Sequence, residues 1–218
     1  MKTRQSGFTL VEIAIVLVII GLLMGGILKG QELINSAKVK NLAQDFRTVP
    51  LYIYGYQDKF RTLPGDDLRA TTHVCAAGNT SCTTLGDGDG RIDGTWDAAT
   101  GTPQPESVLF WQHVRLANLA SGPTETTDLN FLPLNADGGR IGVQAGGAGA
   151  PLGVRGSHAM CSGGILGKYV AQLDTALDDG DPETGSMRAG TGSGATLTAV
   201  SSTNPLDEAT AYAVCLGF

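Results

Sequence analysis

The sequence predicts an α+β protein: one long N-terminal helix laid on a small antiparallel sheet, followed by a loop-rich, disulfide-containing C-terminal region. Three observations carry this expectation. Residues 8–60 keep a helical pattern, first as a continuous apolar run and then as a single apolar stripe. The rest of the chain is glycine-rich, with only short stretches of Val, Ile, Thr and Tyr. All four cysteines, Cys75, Cys82, Cys161 and Cys215, lie in that second part.

The apolar run is FTLVEIAIVLVIIGLLMGGIL, residues 8–28. Its 21 residues, at ~1.5 Å each, span roughly 31 Å, enough to cross a hydrocarbon core. Glu12 interrupts it. A charge near a bilayer centre costs about 2.5–3.5 kcal/mol on insertion scales, and such residues usually face a partner. No Lys or Arg stands at helical spacing within the run; the nearest in sequence are Lys2, Arg4 and Lys29. Glu12 is therefore either tolerated near an interface or partnered from another chain. The segment before the run, MKTRQSG, is too short for an ordinary secretory signal, whose apolar core precedes the cut. Here the apolar core follows the small residue Gly7. A cut after Gly7 keeps the apolar segment and makes Phe8 a new N-terminal amine beside it.

Val39, Leu42, Phe46, Val49, Ile53, Tyr56 and Phe60 alternate spacings of three and four, which puts them on one helical face. Lys38, Lys40, Gln44, Asp45, Arg47, Gln57, Asp58 and Lys59 occupy the others. Aromatics fill the stripe and the pattern stops at Leu63-Pro64-Gly65, so the expectation is packing on the chain's own domain rather than a free coiled coil. Pro50 removes one helical hydrogen bond and is expected to kink the helix. The resulting organisation is a leader at 1–7, a helix at 8–60 with 8–28 membrane-spanning, and a globular domain at 61–218.

Within that domain, Ser107–Ala120 and Gly167–Asp178 read as short amphipathic helices, the second stopped by Gly180. Gly139–Gln144, Ala195–Ser201 and Ala209–Leu216 read as strands. Four cysteines allow three pairings. Cys75 with Cys82 brackets a short polar loop, and Cys161 with Cys215 then closes the C-terminal region; this is the pairing expected. No CxxC spacing supports a zinc site.

Two acidic stretches invite a cation. In LGDGDGRIDGTWD (85–97), Asp87, Asp89 and Asp93 alternate with glycines as in the middle of an EF-hand calcium loop. Leu85 and Trp96 stand where that loop needs ligands, which excludes a full EF-hand. A partial Ca2+ loop and a solvated Asp-Gly turn both remain. In DTALDDGDPETG (174–185), Asp178, Asp179, Asp181 and Glu183 have the chemistry to bind Ca2+, but Asp-Gly and Asp-Pro are also ordinary turn pairs, and the turn reading is favoured.

Catalytic readings are weak. His73, His113 and His158 lack metal-ligand spacing, GGAGAPLG is followed by no Lys-Ser/Thr, and no nucleophile–base–orienter set is evident. The chain carries a net charge of −6, and without residues 1–7 its 21 acidic side chains face 13 basic ones. Such a balance gives no general attraction to nucleic acid.

Lys2, Arg4, Gly7-Phe8-Thr9-Leu10-Val11-Glu12 and the apolar stretch after them resemble the N-terminus of type IV prepilins and type II secretion pseudopilins. The resemblance is close over residues 1 to about 60 and only general beyond. It implies a prepilin peptidase that cuts after Gly7 and methylates Phe8, and a role for Glu12 in filament assembly. It implies a precursor anchored once in the inner membrane of a Gram-negative-like bacterium, with an exported domain. It implies a structural, non-enzymatic subunit of a type IV pilus-like filament, major or minor, whose partners are other such subunits. A pseudopilin, or a filament-tip module for adhesion or DNA uptake, is the alternative. Many pilins carry a proline in the membrane half of the helix. Here Gly25, Gly26 and Gly30 stand there instead, as sites of loosening or of close helix packing.

Overall fold

The computed structural model describes residues 9–75 and 85–218. Contacts divide the chain into two compact units, one ending at Lys38 and one running from Val39 to Phe218. A single helix, α1 (Leu10–Phe60), supplies residues to both and runs through Pro50.

In the first unit α1 buries no apolar side chain. Leu10, Val11, Leu17, Leu22, Leu23 and Leu28 are all exposed. In the second unit the same helix becomes one-sided. Val39, Leu42, Phe46, Val49, Ile53 and Tyr56 are buried, as the three-four spacing requires, and Ala43 joins them. Phe60 closes the stripe, its ring against Tyr56 at 4.7 Å.

Three further α-helices lie among the described residues: α2 (Ala70–His73), α3 (Glu106–Leu116) and α4 (Gly167–Leu177). Pro105 precedes α3 with extended backbone, a position where its missing N–H costs nothing. The five strands are β1 (Ile141–Ala145), β2 (His158–Leu166), β3 (Met187–Thr191), β4 (Thr198–Ala199) and β5 (Ala211–Gly217). They form one antiparallel sheet in the order β1-β2-β5-β3-β4. The strand expected over Ala195–Ser201 contracts to the two residues of β4, and β2 and β3 arise from segments that carry no clear alternation.

Strand alternation sorts the sheet into two faces. Met160 of β2 and Tyr212 and Val214 of β5 enter the main core with the α1 stripe, Phe110, Trp111, Val170 and Leu173. Ala159 and Cys161, with Ala213 and Cys215, point the other way into a smaller cluster with Trp96 and Val154. Cys161 and Cys215 are direct cross-strand partners, their Cα atoms 4.1 Å apart, and are joined as a disulfide. The β2–β5 register shifts between Ser162 and Ile165, where Gly164 takes a φ of 70°. That is a bulge at a glycine, where positive φ is free of Cβ strain. Gly142 of β1 allows another close approach: a Cβ there would fall 1.6 Å from the Trp96 carbonyl oxygen.

Candidate functional site

The features singled out by the sequence fall into an N-terminal site and an acidic loop. At the first, Gly7 and Phe8 lie outside the described residues. Thr9 precedes the first residue of α1 and Glu12 is the third residue of the helix. Glu12 Oε2 accepts the Thr9 backbone N–H at 2.8 Å and the Thr9 hydroxyl at 2.6 Å. The Glu12 N–H in turn reaches Thr9 Oγ1 at 3.3 Å. This is a capping box: Thr-x-x-Glu satisfies helix-end donors reciprocally. Glu12 therefore has a local partner within its own chain, and its charge sits at the positive end of the helix dipole. The pattern was present in TLVE (9–12) as a capping signature.

Among the described residues α1 is the one helix long and apolar enough to cross a membrane; its most apolar 18-residue window has a mean hydropathy of 2.7 and no buried share.

At the second region, loop 85–97 is gathered by two buried carboxylates from elsewhere in the chain. Asp66, 2 % exposed, accepts the N–H groups of Gly88, Asp89 and Gly90. Glu106, at the start of α3, accepts those of Asp87 and Asp93, each at 2.9 Å. Burial pushes both carboxyls above their usual range, and the N–H bonds oppose that push. Asp87 and Asp89 each accept the N–H two residues on, as Asx turns. One oxygen from each of Asp66, Asp87 and Asp89 lies within 4.8 Å of the others. Asp93 is outside this group and faces Arg91 Nε at 3.8 Å. So the three sequence candidates are not assembled as a set: two of them meet Asp66, whose part no local spacing announced.

The loop's far end is pinned to the sheet. Trp96 N–H donates to Gln144 Oε1 at 2.9 Å, and Ala145 N–H to the Ile92 carbonyl at 2.8 Å. Arg140 holds the carbonyls of Asp97 and Ala98. Of the four cysteines, Cys161 and Cys215 are joined; Cys82, one end of the expected Cys75–Cys82 link, lies outside the described residues.

Residues 2–28 match the family model described as the prokaryotic N-terminal methylation motif. That match is consistent with a type IV pilin or pseudopilin, as are the long apolar helix, the small antiparallel sheet and the disulfide. The motif implies processing by a prepilin peptidase and assembly with other pilin subunits, and it implies a structural subunit rather than an enzyme. With the apolar helix it fits an inner-membrane anchored pilin. No curated protein and no solved structure matches the chain.

Proposed function

We propose that this protein is a structural subunit, major or minor, of a type IV pilus-like filament. It is cut after Gly7 by a prepilin peptidase, methylated on Phe8 and assembled through α1. The supporting observation is the apolar segment of α1, which the chain itself leaves wholly unburied. So much bare apolar surface needs lipid or other helices. A membrane before assembly and a bundle of like helices afterwards supply each in turn. An exported domain accords with the Cys161–Cys215 disulfide, since such links persist in oxidising compartments.

Glu12 acts in the same reading as a register device. Its carboxylate faces the Phe8 amine of an adjacent subunit during assembly, where a low dielectric strengthens the attraction and desolvation offsets much of it. Packing of residues 8–28 then supplies most of the cohesion.

The test is fractionation. Subunit recovered from filaments sheared off the cell surface supports a pilus role, with abundant copies marking a major pilin and traces a minor or tip subunit. Subunit confined to the periplasm, with a protein-secretion defect on deletion, replaces this reading with the pseudopilin one.

A further inference from the structure

Asp45 stands on the part of α1 that packs on the domain, but outside the apolar stripe. It is half-buried, and among the described residues it makes no hydrogen bond or ion pair. It lines a cavity of about 300 Å³ with Thr48 and Tyr52 of α1, Trp111 and Arg115 of α3, and Leu134. A partly desolvated carboxylate without a partner is unfavourable. Arg115 does not serve it. The Arg115 Nη1 donates to the carbonyls of Pro123 and Phe131, and its guanidinium lies over the rings of Trp111 and Phe131. The cavity therefore offers one uncommitted acid among aromatic and apolar walls, and Leu134 in its lining is 64 % exposed.

A fitting complement is carried elsewhere on the same chain. Most basic side chains of the second unit are committed. Arg61 and Arg91 face Asp58 and Asp93. Lys59 and Lys168 lie over neighbouring rings. Arg47, Arg140 and Arg188 hold carbonyls. Lys40, Arg69 and Arg155 are exposed and have no such partner among the described residues. Lys40 and Arg155 follow the buried Val39 and Val154, whereas Arg69 follows Leu68, which is 56 % exposed. The backbone of this apolar-basic pair is fixed. Asp67 Oδ1 accepts the Arg69 N–H at 2.8 Å, and the Arg69 carbonyl accepts the Thr72 hydroxyl at 2.9 Å. A segment held in place loses less freedom on docking.

We propose that Leu68 and Arg69 of one copy dock into the Asp45 cavity of a second copy. The contact rests on the filament reading above and adds a link between domains to the packing of residues 8–28. The cavity and the Leu68–Arg69 pair share no residue, so the contact is head-to-tail. Each copy offers its cavity to one neighbour and its arginine to another. Such heterologous contacts build helical filaments when the rotation between copies does not close. One charge pair suffices, because α1 packing already holds the copies at high effective concentration. Its effect is to choose which faces meet between copies of an acidic chain.

The test compares subunit in sheared filaments with subunit in the membrane, for full chains produced alongside an active prepilin peptidase. Asp45→Asn and Arg69→Glu should each lower incorporation roughly tenfold, the scale of a lost interfacial charge pair. Melting of the full chain in detergent separates assembly from folding. Asp45→Asn should melt no lower than the wild type, since it removes an unpartnered charge, and Arg69→Glu should melt with the wild type. The chain carrying Asp45→Arg with Arg69→Glu restores opposite charges and should be incorporated better than either single variant. Wild-type incorporation of Asp45→Asn would overturn the proposal, as would a fall in its melting temperature that matches its loss from filaments. So would a double variant no better than the singles, or recovery of Asp45→Arg by Lys40→Glu or Arg155→Glu instead. The filament reading survives all of these results. It falls, and this contact with it, if the wild-type chain itself is absent from sheared filaments.

Discussion

The Tyr56 hydroxyl donates to Asp67 Oδ2 at 2.8 Å, joining the last buried turn of α1 to the segment that follows it. The same oxygen meets His73 Nδ1 at 2.7 Å, and Asp67 Oδ1 accepts the Arg69 N–H at 2.8 Å. Burial and the neighbouring Asp67 push the Tyr56 hydroxyl above its usual range, so it remains a donor. Tyr56→Phe should lower stability by about 1–3 kcal/mol, because Asp67 stays buried with one donor fewer. A Tyr56→Phe chain that melts with the wild type would show the bond carries nothing.

His113 gives a pH signature. Its Nδ1 accepts the Gly65 N–H at 3.0 Å, its ring stacks on Tyr56, and burial pushes its pKa down to about 4. An unfolded histidine titrates near ~6.5. Between those values the unfolded chain binds a proton that the fold refuses. The His113 contribution is therefore complete above the unfolded value and lost as pH falls toward 4, on the order of 3 kcal/mol in all. Asp45 and Asp174, both pushed up to about 6 by burial, act in the opposite sense as pH falls below that value. The clean measurement is therefore a difference. The destabilisation caused by His113→Gln should be largest at neutral pH and shrink on acidification; a constant difference would refute the assignment.

Truncation tests the stripe on α1. Removing residues 1–35 should leave a soluble domain, because the compact unit begins at Val39. Removing residues 1–60 should give an aggregating one. The stripe's large apolar side chains contribute about 1.5–3 kcal/mol each, more together than the net stability of a typical domain. Equal folding of both chains by circular dichroism and gel filtration would show that the stripe is dispensable.

The disulfide closes a separation of 54 residues, for which loop entropy predicts up to about 4 kcal/mol. Cys161→Ala with Cys215→Ala should lower the denaturation midpoint accordingly. Peptide mapping without reductant should recover Cys161 with Cys215 and Cys75 with Cys82; a crossed peptide contradicts the pairing.

Glu12→Ala and Glu12→Gln should each leave expression, cleavage and membrane insertion intact while reducing subunit in sheared filaments. The glutamine keeps shape and loses charge. The capping box adds a second expectation: Glu12→Ala should fray the first turn of α1, which amide exchange in detergent reports. Wild-type incorporation by both variants would reduce Glu12 to a helix cap.

Much of α1 was legible because its pattern is local: a stripe needs only its own spacing. The same holds for α3, announced by Pro105, and for β5, whose valine and tyrosine alternate. Strand β2 was not legible. HAMCSGGIL holds two glycines and small residues, and it gains its meaning only from β1 and β5 on either side and from Trp96 lying over Gly163. The acidic loop shows the same limit. Asp87 and Asp89 were visible as neighbours, but Asp66 and Glu106, which gather the loop's N–H groups, come from distant stretches. No local spacing could name them.

The position of β5 sets a schedule for the whole domain. It follows every other strand in chain order, yet it lies in the middle of the sheet, between β2 and β3. A chain emerging N-terminus first has its α1 stripe, α3, α4 and four strands in hand before the strand that unites them arrives. Until then β2 and β3 present open edges, which are templates for mispairing. Closure waits for a long-range pairing, which is intrinsically slow. Until Ala211–Gly217 is delivered, β2 and β3 lack the strand that joins them into one sheet.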